Sequence, residues 1–451
     1  MGEQFNLNEK QKEAVEFNGG DLLIIAGAGT GKTQVITKRI LHIMNEGWAK
    51  PSEILALTFM DKAAQEMQDR IDVEIDYGYD EPFISTFHSF CDTILKEDGY
   101  NIGIDGNYAL MSRAQEYIFL RKYVHDLPLK TLRPRGNPRD FLNGFLDHVS
   151  RLQDEDISPE EYIQYVSKLP RSTEEEEQEY LKFKELAESY KKYSDLKIEN
   201  SKMNFGDLIT QTLKLFRERE NILEKYRKRF KYILVDEFQD TNYNQNMLIN
   251  TLVIGNENGK ESMVRPFLTV VGDDDQSIYK FRGAAISNIL QFKETYPDAK
   301  KIVLTENYRS RQEILDSAYT LIKYNDPYRL EVTEGIDKKL IAKSAFEKDE
   351  NPVKLIFTKE EVDEAEEVAN EIMRLTGYGD LIKETSKNGE IFDISGQSSL
   401  LRLDTTVDGK YKFSDIAVLV RANSHADAFT QMFRYKGIPY KLGGTRGLYF
   451  R

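Results

Sequence analysis

Short runs of apolar residues alternate along the chain with segments whose apolar residues recur at helical spacing. The first runs occupy residues 22–25, 54–59 and 83–86. Runs of this length predict buried strands, and their alternation with helices is typical of a parallel sheet. Further runs extend the pattern at 232–235, 267–271 and 302–305. We therefore predict an α/β fold built on a parallel sheet, with ligands at the carboxyl ends of its strands.

Two stretches depart from this alternation. Residues 105–200 are charged and helical, which predicts a helical insertion between two parts of the sheet domain, 1–104 and 201–310. Residues 311–451 predict the start of a second α/β domain. Its expected strands are 353–357 and 416–420, its expected helices are 360–375 and 426–435, and a polar insertion is expected around 376–413.

A glycine-rich loop follows the first predicted strand and leads into a helix. Glycines let successive N–H groups point at phosphate oxygens, and the helix N-terminus adds a favourable dipole. Lys32 is placed to reach the β- and γ-phosphates, and the Thr33 hydroxyl to ligate Mg²⁺. The alternative is an ordinary glycine-rich turn, which the flanking strand and helix disfavour. The predicted cradle consists of Ala26, Gly27, Ala28, Gly29, Thr30, Gly31, Lys32 and Thr33.

Two later strand ends carry polar residues that complete such a site. Asp236 and Glu237 end the run at 232–235, where Asp236 is predicted to hold Mg²⁺ and Glu237 to deprotonate the attacking water. Gln276 follows the run at 267–271 and is predicted to hydrogen-bond the γ-phosphate. Together with the glycine-rich loop these residues predict an ATP-hydrolysing site that uses Mg²⁺.

Composition narrows the class of protein. The 451 residues carry a net charge of -14, which argues mildly against a nucleic-acid partner, although a local basic groove would still bind one. The single cysteine cannot form an intramolecular disulfide, so a reducing cytoplasm is expected. No apolar run approaches the roughly 20 residues of a membrane span, so no membrane partner is expected.

Several residues suit a nucleic-acid track. Tyr279 and Phe281 alternate with Lys280 and Arg282, a pattern that suits base stacking with phosphate contacts, although such aromatics also occur in cores. Thr58, Thr86 and His88 stand at predicted strand ends, where His88 is equally consistent with an ordinary loop histidine. The basic stretch 121–139 is either a phosphate contact or a solvated loop, and the acidic run 174–179 is expected to be a solvated face or turn.

The ordered motifs resemble the UvrD/Rep/PcrA group of superfamily 1 DNA helicases. Asp-Glu-Phe-Gln-Asp-Thr at 236–241 and Asp-Gln-Ser-Ile-Tyr at 275–279 are the most specific strings. The segments that resemble family motifs are 7–11 (Q), 26–33 (I), 58–64 (Ia), 86–89 (Ib), 235–241 (II), 271–284 (III) and 307–310 (IV). The resemblance covers residues 7–451.

The resemblance implies two RecA-like P-loop domains with ATP between them and an inserted helical subdomain. It implies 3′-to-5′ movement on single-stranded DNA, binding to single/double-strand junctions, and repair or replication proteins as further partners. In such a site Lys32, Glu237, Gln276 and Arg309 would be catalytic, Gln11 would read adenine and Tyr308 would stack on it. Arg309 would reach the γ-phosphate from the second domain's side. The implied DNA contacts are Thr58, Phe59, Lys62, Thr86, His88, Tyr279, Phe281 and Arg282.

The chain also departs from the family pattern. Gln34 stands where Arg is usual, Asp61 where Asn is usual, and Phe281 where Trp is usual. Motifs V and VI are not found, so we expect the N-terminal portion of a longer helicase, with a complete shortened protein as the alternative. The alternative function is a nucleotide- and DNA-binding module that does not couple hydrolysis to movement. A P-loop kinase is disfavoured by the segments that resemble motifs Ia, Ib and III.

Overall fold

The computed structural model describes residues 7–74, 80–134, 136–254, 265–278, 286–343, 353–378 and 411–443. The chain forms two compact units, Met1–Lys348 and Asp349–Arg451. Within the described ranges no helix combines the length and apolar character that crossing a membrane requires. The predicted domain boundaries at 104, 200 and 310 stay predictions.

The described residues of the first unit form ten strands. They are β1 (Leu22–Ala26), β2 (Ile54–Thr58), β3 (Phe83–Thr86), β4 (Ala109–Leu110), β5 (Lys202–Met203), β6 (Tyr232–Val235), β7 (Phe267–Gly272), β8 (Lys300–Leu304), β9 (Glu306–Asn307) and β10 (Ile341–Ala342).

Most of the helices in the described part of the chain also belong to the first unit, and the last two of them belong to the second. They are α1 (Glu9–Glu16), α2 (Lys32–Asn45), α3 (Asp61–Asp72), α4 (Phe87–Asp98), α5 (Arg113–Tyr123), α6 (Arg139–Asp154), α7 (Pro159–Ser167), α8 (Glu174–Glu199), α9 (Phe205–Glu218), α10 (Glu220–Arg229), α11 (Tyr243–Val253), α12 (Ile286–Leu290), α13 (Phe292–Thr295), α14 (Gln312–Ile322), α15 (Leu330–Thr333), α16 (Glu361–Thr376) and α17 (Ala426–Tyr435).

Six strands form one parallel sheet in the order β3-β2-β6-β7-β1-β8. This confirms the predicted α/β class and the parallel sheet. The two strands that carry the glycine-rich loop and Gln276, β1 and β7, are neighbours, with Ile25 opposite Gly272. Because all six strands run the same way, the loops after β1, β6 and β7 meet at one edge of the sheet.

Side chains that alternate along the strands fill a separate core on each face of the sheet. Leu23 and Ile25 face one core with Leu57 of β2, whereas Leu22 and Ile24 face the other. Every residue of β1 and β2 is buried. A strand buried on both faces requires a continuous apolar run, which is why these elements could be read from sequence.

The segment from α5 to α8 forms its own helical core. Phe145 and Val149 of α6 pack there with Tyr193 of α8. The acidic run 174–179 opens α8, where Thr173 accepts a hydrogen bond from the Glu176 N–H. Carboxylates near a helix N-terminus are stabilised by the helix dipole, so this run starts a helix and the expected alternative of a turn is wrong.

The second unit departs from the sequence-based expectation. Helices α16 and α17 are present and share an apolar core that includes Ile372 and Phe433. The expected strands at 353–357 and 416–420 are not strands in this structure, and Leu355 and Leu419 are 90% and 95% exposed. A strand needs a neighbouring strand for its backbone hydrogen bonds, and the described residues of this unit offer none. The predicted insertion at 376–413 lies mostly outside the described residues.

Candidate functional site

The glycine-rich loop turns sharply between β1 and α2. Gly29 and Gly31 have φ of 73° and 84°, in the left-handed region that glycine adopts without strain. A Cβ on Gly29 would lie 2.5 Å from Asn307 Nδ2, so close packing also requires glycine there. Thr30 donates its hydroxyl to the Gly27 carbonyl at 2.8 Å, which fixes the turn. The loop therefore leads directly into the N-terminus of α2, where Lys32 begins the helix.

The ends of β1, β6 and β7 bring three predicted catalytic residues together. Lys32 Nζ lies 2.6 Å from Glu237 Oε2 and 3.0 Å from Gln276 Oε1. Gln239 Nε2 donates to the same Glu237 oxygen at 2.7 Å, and its own Oε1 accepts from the Asp273 N–H at 3.1 Å. Gln276 Nε2 donates to Asp273 Oδ2 at 2.7 Å, so these five residues form a closed polar ring at the carboxyl edge of the sheet.

Glu237 has a backbone conformation that is uncommon for a side chain of its size. Its φ is 49° and its ψ 45°, in the left-handed region. Such strain persists only where the surrounding structure holds it, and it clusters at functional sites. The side chain is 34% exposed, so the carboxylate is reachable from solvent while it pairs with Lys32. This position suits a base that changes partners during a reaction.

Asp236 and Thr33 are the predicted metal ligands. Asp236 is 3% exposed, and burial together with the neighbouring Glu237 charge raises the pKa of its carboxyl to about 7. One oxygen accepts the Glu237 N–H at 2.9 Å. Thr33 is half-buried in the first turn of α2. A buried carboxylate next to a like charge is stabilised by a cation, and oxygen ligands are those that Mg²⁺ prefers, so these residues fit a divalent ion.

The two residues predicted to hold adenine lie beside the loop. Gln11 is buried, donates Nε2 to the Thr30 carbonyl at 2.9 Å, and closes a capping box with Asn8. The Tyr308 hydroxyl accepts from Asn8 Nδ2 at 2.9 Å and donates to Glu306 Oε2 at 2.7 Å. Tyr308 remains 42% exposed, so the hydroxyl is tethered while much of the side chain stays accessible.

A turn after β9 clamps the glycine-rich loop. Asn307 is buried and donates Nδ2 to the Ala28 carbonyl at 2.5 Å, while its Oδ1 accepts the backbone N–H groups of Arg309 and Ser310. The Tyr308 N–H donates to the Gly29 carbonyl at 2.9 Å. Arg309 is exposed, and no residue in the described part of the chain pairs with its guanidinium.

Arg309 lies in the same compact unit as the glycine-rich loop. Strand β8 pairs with β1 in the same sheet and leads into the turn that contacts the loop. The contact of Arg309 with the γ-phosphate from the second domain's side stays a prediction.

The residues predicted to line a DNA track differ in how far their side chains are exposed to solvent. Phe59 and His88 are half-buried and Lys62 is exposed. Thr58 and Thr86 are 1% and 6% exposed, and the Thr86 hydroxyl caps α4 by accepting from the Ser89 N–H. Side-chain contact of DNA with these two threonines stays a prediction that their burial does not favour.

His88 stands at the start of α4. Burial lowers the pKa of His88, and the nearby Asp61 charge acts in the opposite direction. A neutral imidazole contacts a phosphate by hydrogen bonding rather than by charge. Tyr279, Phe281 and Arg282 lie outside the described residues.

Three functional residues were missed by sequence reasoning. Asn307, Gln239 and Asp273 all make hydrogen bonds that hold the loop or the polar ring. Asn307 and Gln239 stand inside the motif strings that were recognised, which is the signal that would have singled them out. Asp273 also stands inside a recognised segment, 271–284, but there it is one of three consecutive aspartates, and the sequence does not show which of the three contacts Gln276.

Comparison with protein families and curated proteins gives matches that cover nearly the whole chain. Residues 7–297 match the UvrD/REP helicase N-terminal domain, and residues 302–451 match the UvrD-like helicase C-terminal domain. The chain is 33% identical over 444 residues to the ATP-dependent DNA helicase PcrA of Bacillus subtilis, which covers 98% of this chain and 51% of that protein.

Two further relatives give the same result. The PcrA helicases of Staphylococcus epidermidis and Staphylococcus aureus are 34% and 32% identical over 446 and 450 residues, and each match covers 99% of this chain and 52% of the relative. The chain therefore spans about half the length of the curated relatives it matches.

Proposed function

The chain belongs to the UvrD/REP helicase family, and from that premise we propose that it hydrolyses ATP to drive movement on single-stranded DNA. The observation that carries the proposal is the contact of Lys32 with Glu237 and Gln276 in the polar ring at the end of the glycine-rich loop. Lys32 provides a cation that binds phosphate, Glu237 provides a carboxylate that accepts a proton from water, and Gln276 provides an amide close to both.

Lys32 changes partner in the proposed reaction. In the structure its ammonium is held by Glu237 at 2.6 Å. The β- and γ-phosphates of ATP carry more negative charge than a single carboxylate, so Lys32 moves to them when ATP binds. This exchange releases Glu237, which stays tethered by the Gln239 amide at 2.7 Å.

The released Glu237 carboxylate then acts on water. It accepts a proton from a water molecule whose oxygen attacks the γ-phosphorus, and the bond to the bridging β–γ oxygen breaks, so ADP leaves with the electron pair. Arg309 supplies a cation for the charge on the transferred phosphoryl group, since its Cβ lies beside Gly29 of the loop and its side chain is exposed.

We propose that Asp236 and Thr33 would hold Mg²⁺, since both offer oxygen ligands at the end of the loop. When bound, the ion neutralises charge that develops on the phosphate oxygens. Gln11 and Tyr308 form the proposed adenine site, and Phe59, Lys62 and His88 are proposed to contact DNA. DNA contact by Tyr279, Phe281 and Arg282 stays a prediction from the sequence. Junction binding, repair or replication partners, and a cytoplasmic location stay predictions.

The test is steady-state ATP hydrolysis by the 451-residue chain, with and without a single-stranded oligonucleotide, beside a Lys32→Ala variant. We expect turnover that rises with the oligonucleotide and disappears in the variant. Nucleotide binding without oligonucleotide-stimulated turnover would instead indicate the non-motor module. Equal turnover by Lys32→Ala and the wild type would contradict the site itself.

A further inference from the structure

Three consecutive aspartates follow β7 and surround one buried lysine. Lys338 Nζ lies 2.7 Å from Asp273 Oδ1 and 2.9 Å from Asp275 Oδ2, and it also contacts Asp274. Asp273, Asp274 and Lys338 are 4%, 5% and 7% exposed. Three carboxylates at this spacing would suit a metal ion, but the ammonium of Lys338 already provides the cation.

Asp273 connects this cluster to the polar ring. Its Oδ2 accepts Gln276 Nε2 at 2.7 Å, while its Oδ1 is held by Lys338. An ionised carboxylate only accepts hydrogen bonds, so the NH₂ end of the Gln276 amide must face Asp273. The amide oxygen then faces the opposite way, where it accepts from Lys32 Nζ at 3.0 Å.

The orientation of Gln276 therefore depends on a residue far along the chain. We propose that Lys338 is a positioning residue that fixes Asp273 and, through it, the direction of the Gln276 amide in the ATP site. This inference rests on the proposed ATP hydrolysis. With Gln276 held in this way, its oxygen is preorganised to accept from the attacking water, which in turn directs the water toward phosphorus.

The cluster also links the site to the segment after α14. Arg329 donates Nε and Nη2 to the two oxygens of Asp275 at 2.7 Å each, and the Leu330 N–H donates to Asp274 Oδ2 at 2.8 Å. Each aspartate is thus bound to the segment from 329 to 338. A displacement of this segment would pull on Asp273 and turn the amide away from Lys32, so hydrolysis becomes sensitive to the position of the segment.

A double-mutant cycle tests the inference. Lys338→Met, Gln276→Ala and the double variant are compared with the wild type for kcat and for ATP affinity. We expect Lys338→Met to lower kcat about 10- to 100-fold, as misplacement of a catalytic group does, with the dissociation constant for ATP changed less than threefold. We expect the double variant to be no slower than Gln276→Ala, because both changes remove one function.

Matched variants separate positioning from folding. Lys339 is exposed and pairs with Asp316 at 3.2 Å, so Lys339→Met is the neighbouring control and should keep wild-type kcat. Lys338→Arg retains the cation and should recover most of the activity. If Lys338→Met does not fold, Asp274→Asn with Lys338→Met removes one of the crowded charges and leaves Asp273 and Gln276 in place, and the lowered kcat is expected there too.

The outcomes are distinct. A folded Lys338→Met protein with wild-type kcat, or a double variant in which the two losses multiply, would overturn the inference while leaving the proposed function intact. Wild-type protein without any turnover would overturn both.

Discussion

Lys32 and Lys197 are both buried lysines whose ammonium lies 2.6 Å from a carboxylate, but their surroundings differ. Lys197 contacts both oxygens of Asp207, and the same carboxylate also accepts Gln153 Nε2 and the Asn204 N–H. Lys32 pairs with Glu237, which is one-third exposed. One ion pair is enclosed and fully hydrogen-bonded, and the other borders solvent.

The difference separates a structural pair from a functional one. The Lys197 pair joins α8 to the start of α9, where Asn204 caps the helix, and both of its side chains are less than one-tenth exposed. A buried charge whose partners are all satisfied gains nothing by moving. The Lys32 pair has a strained backbone at Glu237 and an open side, so a more highly charged ligand can displace the carboxylate.

The largest expected effect comes from Lys32→Ala. We expect turnover to fall at least about 10³-fold, because a single donor to developing charge contributes about 10²–10³ and Lys32 also binds the ground-state phosphates. The measurement is ATP hydrolysis at saturating oligonucleotide, with Lys38→Ala as the matched control on the same helix, where Lys38 is half-buried and pairs with Glu74. Residual turnover within tenfold of the wild type would argue against the phosphate role.

The next largest effect is expected for Lys197→Met, which should change the stability of the fold rather than the rate of hydrolysis. Lys197→Met leaves the buried Asp207 charge without its cation, which we expect to cost about 3–5 kcal/mol of unfolding free energy. Urea denaturation followed by circular dichroism measures this change. Lys191→Met is the control on the same helix, because the Lys191 side chain is 43% exposed and forms ion pairs at the surface. A decrease in unfolding free energy below about 1 kcal/mol would mean that the Lys197 ion pair contributes no more than an ordinary surface ion pair.

Glu237→Gln tests the other member of the Lys32 ion pair, the carboxylate. We expect kcat to fall about 10²–10³-fold because the amide cannot accept the proton from water, while ATP affinity is kept or improves because Lys32 is freed. Single-turnover hydrolysis and equilibrium binding of a fluorescent ATP analogue report the two quantities, with exposed Glu81→Gln as control. Loss of nucleotide binding would mean that Glu237 holds the loop together instead.

The smallest expected effect is that of Tyr308→Phe. This change removes the hydroxyl that bonds Asn8 and Glu306 but keeps the ring. We expect about a two- to tenfold weaker affinity for ATP, in line with about 0.5–1.5 kcal/mol for a hydrogen bond, and a larger loss for Tyr308→Ala. Equal affinities for all three proteins would exclude Tyr308 from the adenine site.

The sheet could be predicted from sequence because each of its strands carries its own apolar signal. The run at 54–59 predicts β2 to within one residue, since both faces of that strand are buried. The same signal was misleading at 353–357, where Leu355 and Phe357 are exposed and no strand forms. A run of apolar residues indicates a tendency to form a strand, but a strand forms only where a neighbouring strand pairs with its backbone hydrogen-bonding groups.

The individual residues of the candidate site could be predicted from the sequence, but the hydrogen bonds that link them could not. Lys32, Glu237 and Gln276 each stand in a recognisable string, and the structure brings them together. That Gln276 is oriented by Asp273 follows from three-dimensional packing. Lys338 lies more than sixty residues beyond Gln276 in a segment without a motif, so no local pattern indicates that the two are linked.

The most direct test measures turnover per folded molecule for Lys32→Ala and Lys197→Met in the same assay. The folded fraction of each protein is determined from its own unfolding curve, and ATP hydrolysis is divided by that fraction. We predict near wild-type turnover for Lys197→Met and background turnover for Lys32→Ala, although Lys197→Met is the less stable protein. Loss of turnover in folded Lys197→Met together with retention in Lys32→Ala would contradict the assignment of the polar ring as the ATP site.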